Sequence, residues 1–248
     1  MRRPAFSYYG AKFRLGRHYP APMHDTIIEP FAGAAGYSMH WWDRDVILID
    51  LDEHIAGVWR YLIESSLDDI RALPLIGDDT NIRQLDIPRG AKWLIGFWSG
   101  CGPKYPRNTP SKWHKSTNRG RNKRWSEATR DHVAMVCDRV SHWRIIHGDY
   151  SDSPDLEATW FIDPPYSVKG HHYRCGSRDI DYSALAEWCR ARRGQVMVCE
   201  QDGADWMDFE PFRRHRSTWR PETGERTATE VWWTNGNPWP QTELCLEC

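Results

Sequence analysis

Short apolar runs that stop at a carboxylate set the tightest limit on how this chain can fold. TIIEPF (26–31), DVILID (45–50), WRIIHGD (143–149), ATWFID (158–163) and GQVMVCE (194–200) carry the β-branched and aromatic residues of buried strands. Between them lie stretches of helical period, EHIAGVWRYLI (53–63) and DYSALAEWCRARR (181–193), and a further helix is expected from about Ala35. Strands alternating with helices argue for an α/β sheet with crossover connections. RRHRSTWR (213–220) and TATEVWWTNG (227–236) flank a turn holding Pro221 and Gly224, the pattern of an antiparallel hairpin. The expected fold class is therefore α/β, mostly parallel, with a C-terminal antiparallel hairpin.

The segment 65–142 breaks this rhythm. It holds one helical stretch, AKWLIGFWS (91–99), a Gly-, Pro- and Asn-rich stretch (100–125), and a second helix (126–140) with Ser126 as its N-cap. The stretch 100–125 reads as a mobile insertion between sheet elements, not as an independent fold, and 65–142 as a whole interrupts a body formed by 1–64 and 143–248. Charge singles it out as well. From Lys104 to Arg130 nine Lys/Arg face one acid, Glu127, a local +8 that leaves −9 for the rest of a chain of net charge −1. A basic arm on an acidic body is expected.

Composition excludes several classes. With 248 residues, 40% of them hydrophobic, the chain can bury one good-sized core, and most of its 15 Trp belong there. No apolar stretch approaches the roughly 18 residues of a membrane span. MRRPAFSYYGAK is basic with no apolar run behind it, so no secretory signal is expected. Seven scattered cysteines suit a reduced, cytoplasmic protein. The terminal CLEC has no second pair at zinc spacing, and no metal is called for.

EPFAGAAG (29–36) falls where an α/β sheet presents its first strand-to-helix turn. Gly33 and Gly36 let backbone approach a ligand, but Phe31 stands where a dinucleotide fingerprint has its first glycine. Asp50, at the end of the second strand, can accept from a ribose diol, with Asp52 as the competing residue. An adenosine-type ligand without a pyrophosphate fits better than NAD. S-adenosylmethionine is such a ligand, and Lys12 can meet its carboxylate.

WFIDPPYS (160–167) supplies the chemistry. An aryl amine is a poor nucleophile because its lone pair is delocalised into the ring. Two acceptors on its N–H bonds localise that pair: the Asp163 carboxylate, and the Pro164 carbonyl held rigid by Pro165. Tyr166 offers a face on which an extruded base stacks, worth roughly 1–3 kcal/mol. Charge developing on nitrogen is stabilised by the Asp163 carboxylate.

SYYGAK (7–12), IIEPFAGAAG, VILIDLD, IHGDYSD, FIDPPY and the tail TEVWWTNG (229–236) follow one another in an order that resembles the Dam-type DNA adenine-N6 methyltransferases. The resemblance implies a Rossmann-like, class I methyltransferase sheet, S-adenosylmethionine as cofactor, and double-stranded DNA as partner. It makes Asp163, Pro164, Pro165 and Tyr166 catalytic, and Tyr8, Lys12, Phe31, Gly33, Asp50 and Asp149 cofactor-binding. It makes 65–142 the target-recognition insertion of a monomer or weak dimer. The sequence departs at CEQD (199–202), where the family often has Ser-Asn-His-Asp.

On the DNA side, Lys104, Arg107, Lys112, Arg119, Arg121, Lys123 and Arg124 are the expected contacts, with Tyr105, Trp113 and Trp125 as stacking or wedge residues. His171 and His172 are adjacent and point apart on a strand, so they suit loop contacts better than a metal. Competing readings are methylation of RNA adenine, cytosine N4 or a glutamine amide, and a DNA-binding relative without turnover. Asp163 argues against cytosine N4, where Ser tends to precede Pro-Pro-Tyr.

Overall fold

The computed structural model describes residues 3–112, 125–168, 175–216 and 227–236. Seven strands form one sheet: β1 (Thr26–Glu29), β2 (Asp45–Asp50), β3 (Arg144–His147), β4 (Glu157–Ile162), β5 (Arg193–Gln201), β6 (Glu210–Arg216) and β7 (Thr227–Thr234). Their order is β3-β2-β1-β4-β5-β7-β6. The first five run parallel. β7 joins β5 antiparallel and β6 joins β7 antiparallel, the expected hairpin. The helices are α1 (Phe13–Gly16), α2 (Glu53–Glu64), α3 (Leu67–Ala72), α4 (Arg89–Trp98), α5 (Glu127–Val140) and α6 (Tyr182–Arg190). None among the described residues is long and apolar enough to cross a membrane.

Central strands are apolar throughout because both faces are covered. Val46 and Leu48 turn to one side, with Phe161 and Met197, against α2, α4 and α5. Ile47 and Ile49 turn to the other, with Trp160, Ile162, Val196 and Val198, against Leu185, Ala186 and Cys189 of α6. The period of two along each strand sorts the side chains into these two layers.

Side chains mark the helix starts. Asp52 accepts from His54 N at the head of α2, Ser126 from Thr129 N at α5, and Asp181 from Ser183 and Ala184 N at α6. Ser66 and Asp69 form a reciprocal capping box on α3, a helix our reading of 65–142 did not contain.

One expectation needs correction. No α-helix starts near Ala35: the segment turns instead, with Gly33 and Ala35 both at positive φ, and only a short 3-10 stretch, Ser38–His40, follows. The two helices expected on either side of 100–125 pack into the body of the protein. Leu94, Ile95 and Phe97 of α4 and Val133, Val136 and Val140 of α5 share one core with Ile27 and Leu48 of the sheet. Their apolar faces complete the layer over the sheet, so removing them would bare it.

Trp59 of α2 ties this layer to β1. It is fully buried, lies 5.7 Å edge-on to Phe6 and 5.5 Å from Trp143, and donates to the Gly33 carbonyl at 2.8 Å. Trp59→Ala is expected to cost roughly 3–5 kcal/mol of stability in urea denaturation. A loss below about 1 kcal/mol would contradict this packing.

Candidate active site at the β1–β4 junction

The strand order reverses between β1 and β4: the chain winds outward through β2 and β3 on one side and through β5 on the other. Ligands of open α/β sheets bind at such a point, outside the carboxyl ends of the strands. β1 ends in Glu29 and runs into the glycine turn, and β4 ends in Ile162 and runs into Asp163-Pro-Pro-Tyr166. The two motifs of the sequence are therefore neighbours.

The glycine turn is held from several sides. Ala32 N donates to Ile49 O at 2.9 Å, and Gly33 N donates to Asp50 Oδ2 at 2.9 Å. Gly33 has φ +46°, a conformation that favours glycine, while a Cβ there would meet the ring of Tyr8 at ordinary contact distance, 3.4 Å. At Gly36 a Cβ would fall 2.7 Å from Phe13 N and 2.9 Å from Lys12 Cα, backbone that cannot move aside. Close approach at Gly36 thus presses the N-terminal loop onto the turn and aims Lys12 inward.

Asp50 and Asp52 are both engaged within the protein. Asp52 is spent on capping α2 and on the His54 ring at 3.0 Å. Asp50 bridges the turn and β2, accepting from Gly33 N and, at 2.8 Å, from Asp52 N. Burial pushes its carboxyl up to about 7 against those two N–H groups. Phe31 stacks on Tyr150 at 5.6 Å, and Asp149 beside it caps a 3-10 turn through Ser151 N at 3.0 Å. Tyr8, Phe31, Gly33, Asp50 and Asp149 are thereby set around the carboxyl ends of β1, β2 and β3.

Lys12 lies among the side chains at the end of β4. Its ammonium is buried, 2.5 Å from Glu230 Oε1 and 3.6 Å from Asp163 Oδ1, and it donates to the Tyr166 hydroxyl. Tyr166 in turn donates to Glu230. Burial works against the charge on Lys12, but Asp163 and Glu230 outweigh it and hold the ammonium above the ordinary lysine value. Asp163, Cys199 and Glu230 bring their ligating atoms within 4.8 Å of one another, and the lysine is the cation among them. For Asp163, burial raises the carboxyl to about 6, with Lys12 opposing and Glu230 assisting.

The corner itself is braced. Tyr182 donates to the Pro165 carbonyl, while the Pro164 carbonyl has no hydrogen bond among the described residues. Ser167 N donates to Glu200 Oε2 at 3.0 Å, and Trp206 Nε1 reaches the same oxygen at 2.9 Å. The unusual CEQD stretch thus supplies the carboxylate that fixes the chain just past Tyr166. Glu29, fully enclosed, accepts from Ser38 N at 2.7 Å and holds the far end of the glycine turn.

Glu29, Glu200 and Glu230 were missed in the sequence. Each is an acid inside or at the end of an apolar strand (IIEPF, VMVCEQ, TEVWW), and that misplaced charge was the available signal.

In the basic segment that begins at Lys104, Lys104 lies 5.0 Å over the Tyr9 ring, and Tyr105, Arg107 and Lys112 are exposed. Arg119, Arg121, Lys123, Arg124 and Trp113 lie outside the described residues, as do His171, His172 and CLEC. Trp125 is a correction: it is 2% exposed and donates to Pro74 O at 2.9 Å, a core anchor unable to wedge into DNA. Two backbone contacts, Gly102 N to Ser7 Oγ at 3.1 Å and Tyr9 N to Pro103 O at 3.3 Å, join this loop to the loop of Tyr8 and Lys12.

No protein-family model matches the chain, and no curated protein matches it either.

Burial pushes the Glu29 carboxyl up to about 8, against hydrogen bonds from Ser38 and Tyr37. The folded protein therefore holds this proton more tightly than the unfolded chain does. Its stabilising contribution is complete below the unfolded value and is lost as pH rises to about 8. Glu29→Gln, which cannot ionise, is expected to flatten the loss of stability between acid and mildly alkaline pH. Urea titrations at several pH values check this, and parallel slopes for the two proteins would refute it.

Proposed function

We propose that this protein is a DNA adenine-N6 methyltransferase of Dam type that uses S-adenosylmethionine. One observation carries the reading: the sheet order sets the glycine turn and the Asp163–Tyr166 corner side by side at the reversal point. On this reading the sheet is a Rossmann-like, class I methyltransferase sheet. Residues 1–64 and 143–248 are the catalytic part, and 65–142 reads the target.

The residues at the strand ends fit an adenosine-type ligand. Gly33 leaves a cradle without a Cβ between Tyr8 and Asp50, and Phe31 with Tyr150 offers an apolar face beside the polar Asp149. When bound, S-adenosylmethionine would supply a methyl group on a sulfonium centre. Asp163 and the Pro164 carbonyl, which has no hydrogen bond among the described residues, accept the two N–H bonds of a flipped adenine amine, and Tyr166 presents its ring. The amine nitrogen would take that methyl group with its lone pair, the cofactor's sulfur keeping the electrons of the S–C bond it gives up. The nitrogen then sheds one proton, which the Asp163 carboxylate is placed to take.

Asp163 works only as a carboxylate, so its raised value, about 6, bounds the reaction on the acid side. Lys12 supports the charged form from within the protein.

Labelled S-adenosylmethionine and unmethylated double-stranded DNA test the reaction, with product nucleosides resolved by mass spectrometry. N6-methyladenine is expected from wild type and not from Asp163→Ala, while cofactor binding changes by less than about tenfold, or 1.4 kcal/mol. Undiminished activity in Asp163→Ala would end this mechanism. Transfer to RNA alone would move the substrate class.

Converting Arg119, Arg121, Lys123 and Arg124 to Ala is expected to weaken DNA binding and lower its dependence on salt. An unchanged salt slope would mean that another surface grips the phosphates.

A further inference from the structure

The centre of the site contains a group that the reaction as drawn does not use. Glu230 lies on β7, in the terminal hairpin, and is 2% exposed. It touches two members of the site at once, Lys12 Nζ at 2.5 Å and the Tyr166 hydroxyl. Lys12 and Tyr166 also bond to each other, which closes a triangle of three side chains from three distant parts of the chain. A buried carboxylate is costly unless paired, and here both of its partners are functional groups.

Resting on the methyl-transfer reading, we propose that Glu230 is the positioning residue of the site. It holds the Lys12 ammonium back from a full pair with Asp163, which leaves the Asp163 oxygens free to accept the amine, and it anchors the Tyr166 hydroxyl. Without Glu230 the ammonium has Asp163 as its one ion-pair partner among the described residues. A full lysine–aspartate pair would then spend the oxygen that the amine needs. The 3.6 Å separation of Lys12 from Asp163 beside the 2.5 Å contact with Glu230 is the arrangement that prevents this.

Every charged or titratable group facing Asp163 enters the expectation. They are Lys12 from the N-terminal loop, Tyr19 ahead of β1, Glu29 from β1, Tyr166 from the corner, Cys199 and Glu200 from β5, and Glu230 from β7. Glu230 raises the Asp163 carboxyl as a like charge. Glu230→Gln removes that charge and releases Lys12 toward Asp163. Both changes lower the proton affinity of Asp163.

The experiment compares wild type, Glu230→Gln and Glu230→Asp by methyl transfer against pH and by the carbon-13 carboxyl titration of Asp163. In Glu230→Gln, kcat is expected to fall at least about tenfold. Cofactor binding stays within about threefold, and the acid limb of kcat/KM moves down by about half a pH unit or more. Glu230→Asp keeps the charge but loses reach, so kcat falls while the acid limb stays in place. Wild-type kcat in Glu230→Gln, or an unmoved acid limb, overturns the proposal. If Glu230→Gln fails to fold, Glu230→Asp decides, and wild-type kcat there overturns it. If wild type transfers no methyl to any DNA, the reaction assigned above has failed. The carbon-13 titration then judges the positioning alone: a downward shift in Glu230→Gln upholds it and an unmoved curve overturns it.

Discussion

A lysine ammonium buried between two carboxylates is the constraint on which the rest of this structure depends. Taking Lys12 out of water is expensive, and Asp163 and Glu230 repay that cost only if both are close and well oriented. Their placement requires that the N-terminal loop, the corner after β4 and the C-terminal hairpin all converge. Gly36 lets the loop press inward, and the pairing of β7 with β5 brings Glu230 to the end of β4's neighbour. The architecture serves this meeting of charges as much as it serves the apolar core.

Three carboxylates at the strand ends, Glu29, Asp50 and Asp163, are all pushed upward by burial. A protein selected for stability alone would not collect such groups in one place. Backbone N–H groups compensate Glu29 and Asp50, whereas Asp163 depends on a movable side chain. This separates carboxylates that build the site from the one whose ionisation the site adjusts.

Local pattern was legible, and long-range partnership was not. The run DVILID and the helix after it stand where the period of their apolar residues put them, because both faces of β2 and one face of α2 are buried. The hairpin was legible from its turn residues. The helix expected at Ala35 fails because Glu29 captures Ser38 N and the chain must turn at Gly33, a contact between strand and loop that no periodicity records. Asp163 and Tyr166 were legible as chemistry because proline makes their corner rigid. Glu200 and Glu230 were not, since each acquires its place from a residue far along the chain. Trp125 looked like a surface aromatic from its basic surroundings, yet a hydrogen bond to Pro74 anchors it in the core.

The triangle of Lys12, Tyr166 and Glu230 also bears on how the molecule comes into being. Its closing contact spans nearly the whole sequence, and contacts of such separation are the slowest to form, since the loop they close is longest. During synthesis the glycine turn and the Asp163 corner are both in place while β7 has yet to appear. In that interval Lys12 lacks one of its two carboxylates, and the Tyr166 hydroxyl lacks its acceptor. A half-finished chain thus carries the motifs of the strand ends without the buried carboxylate that closes the triangle.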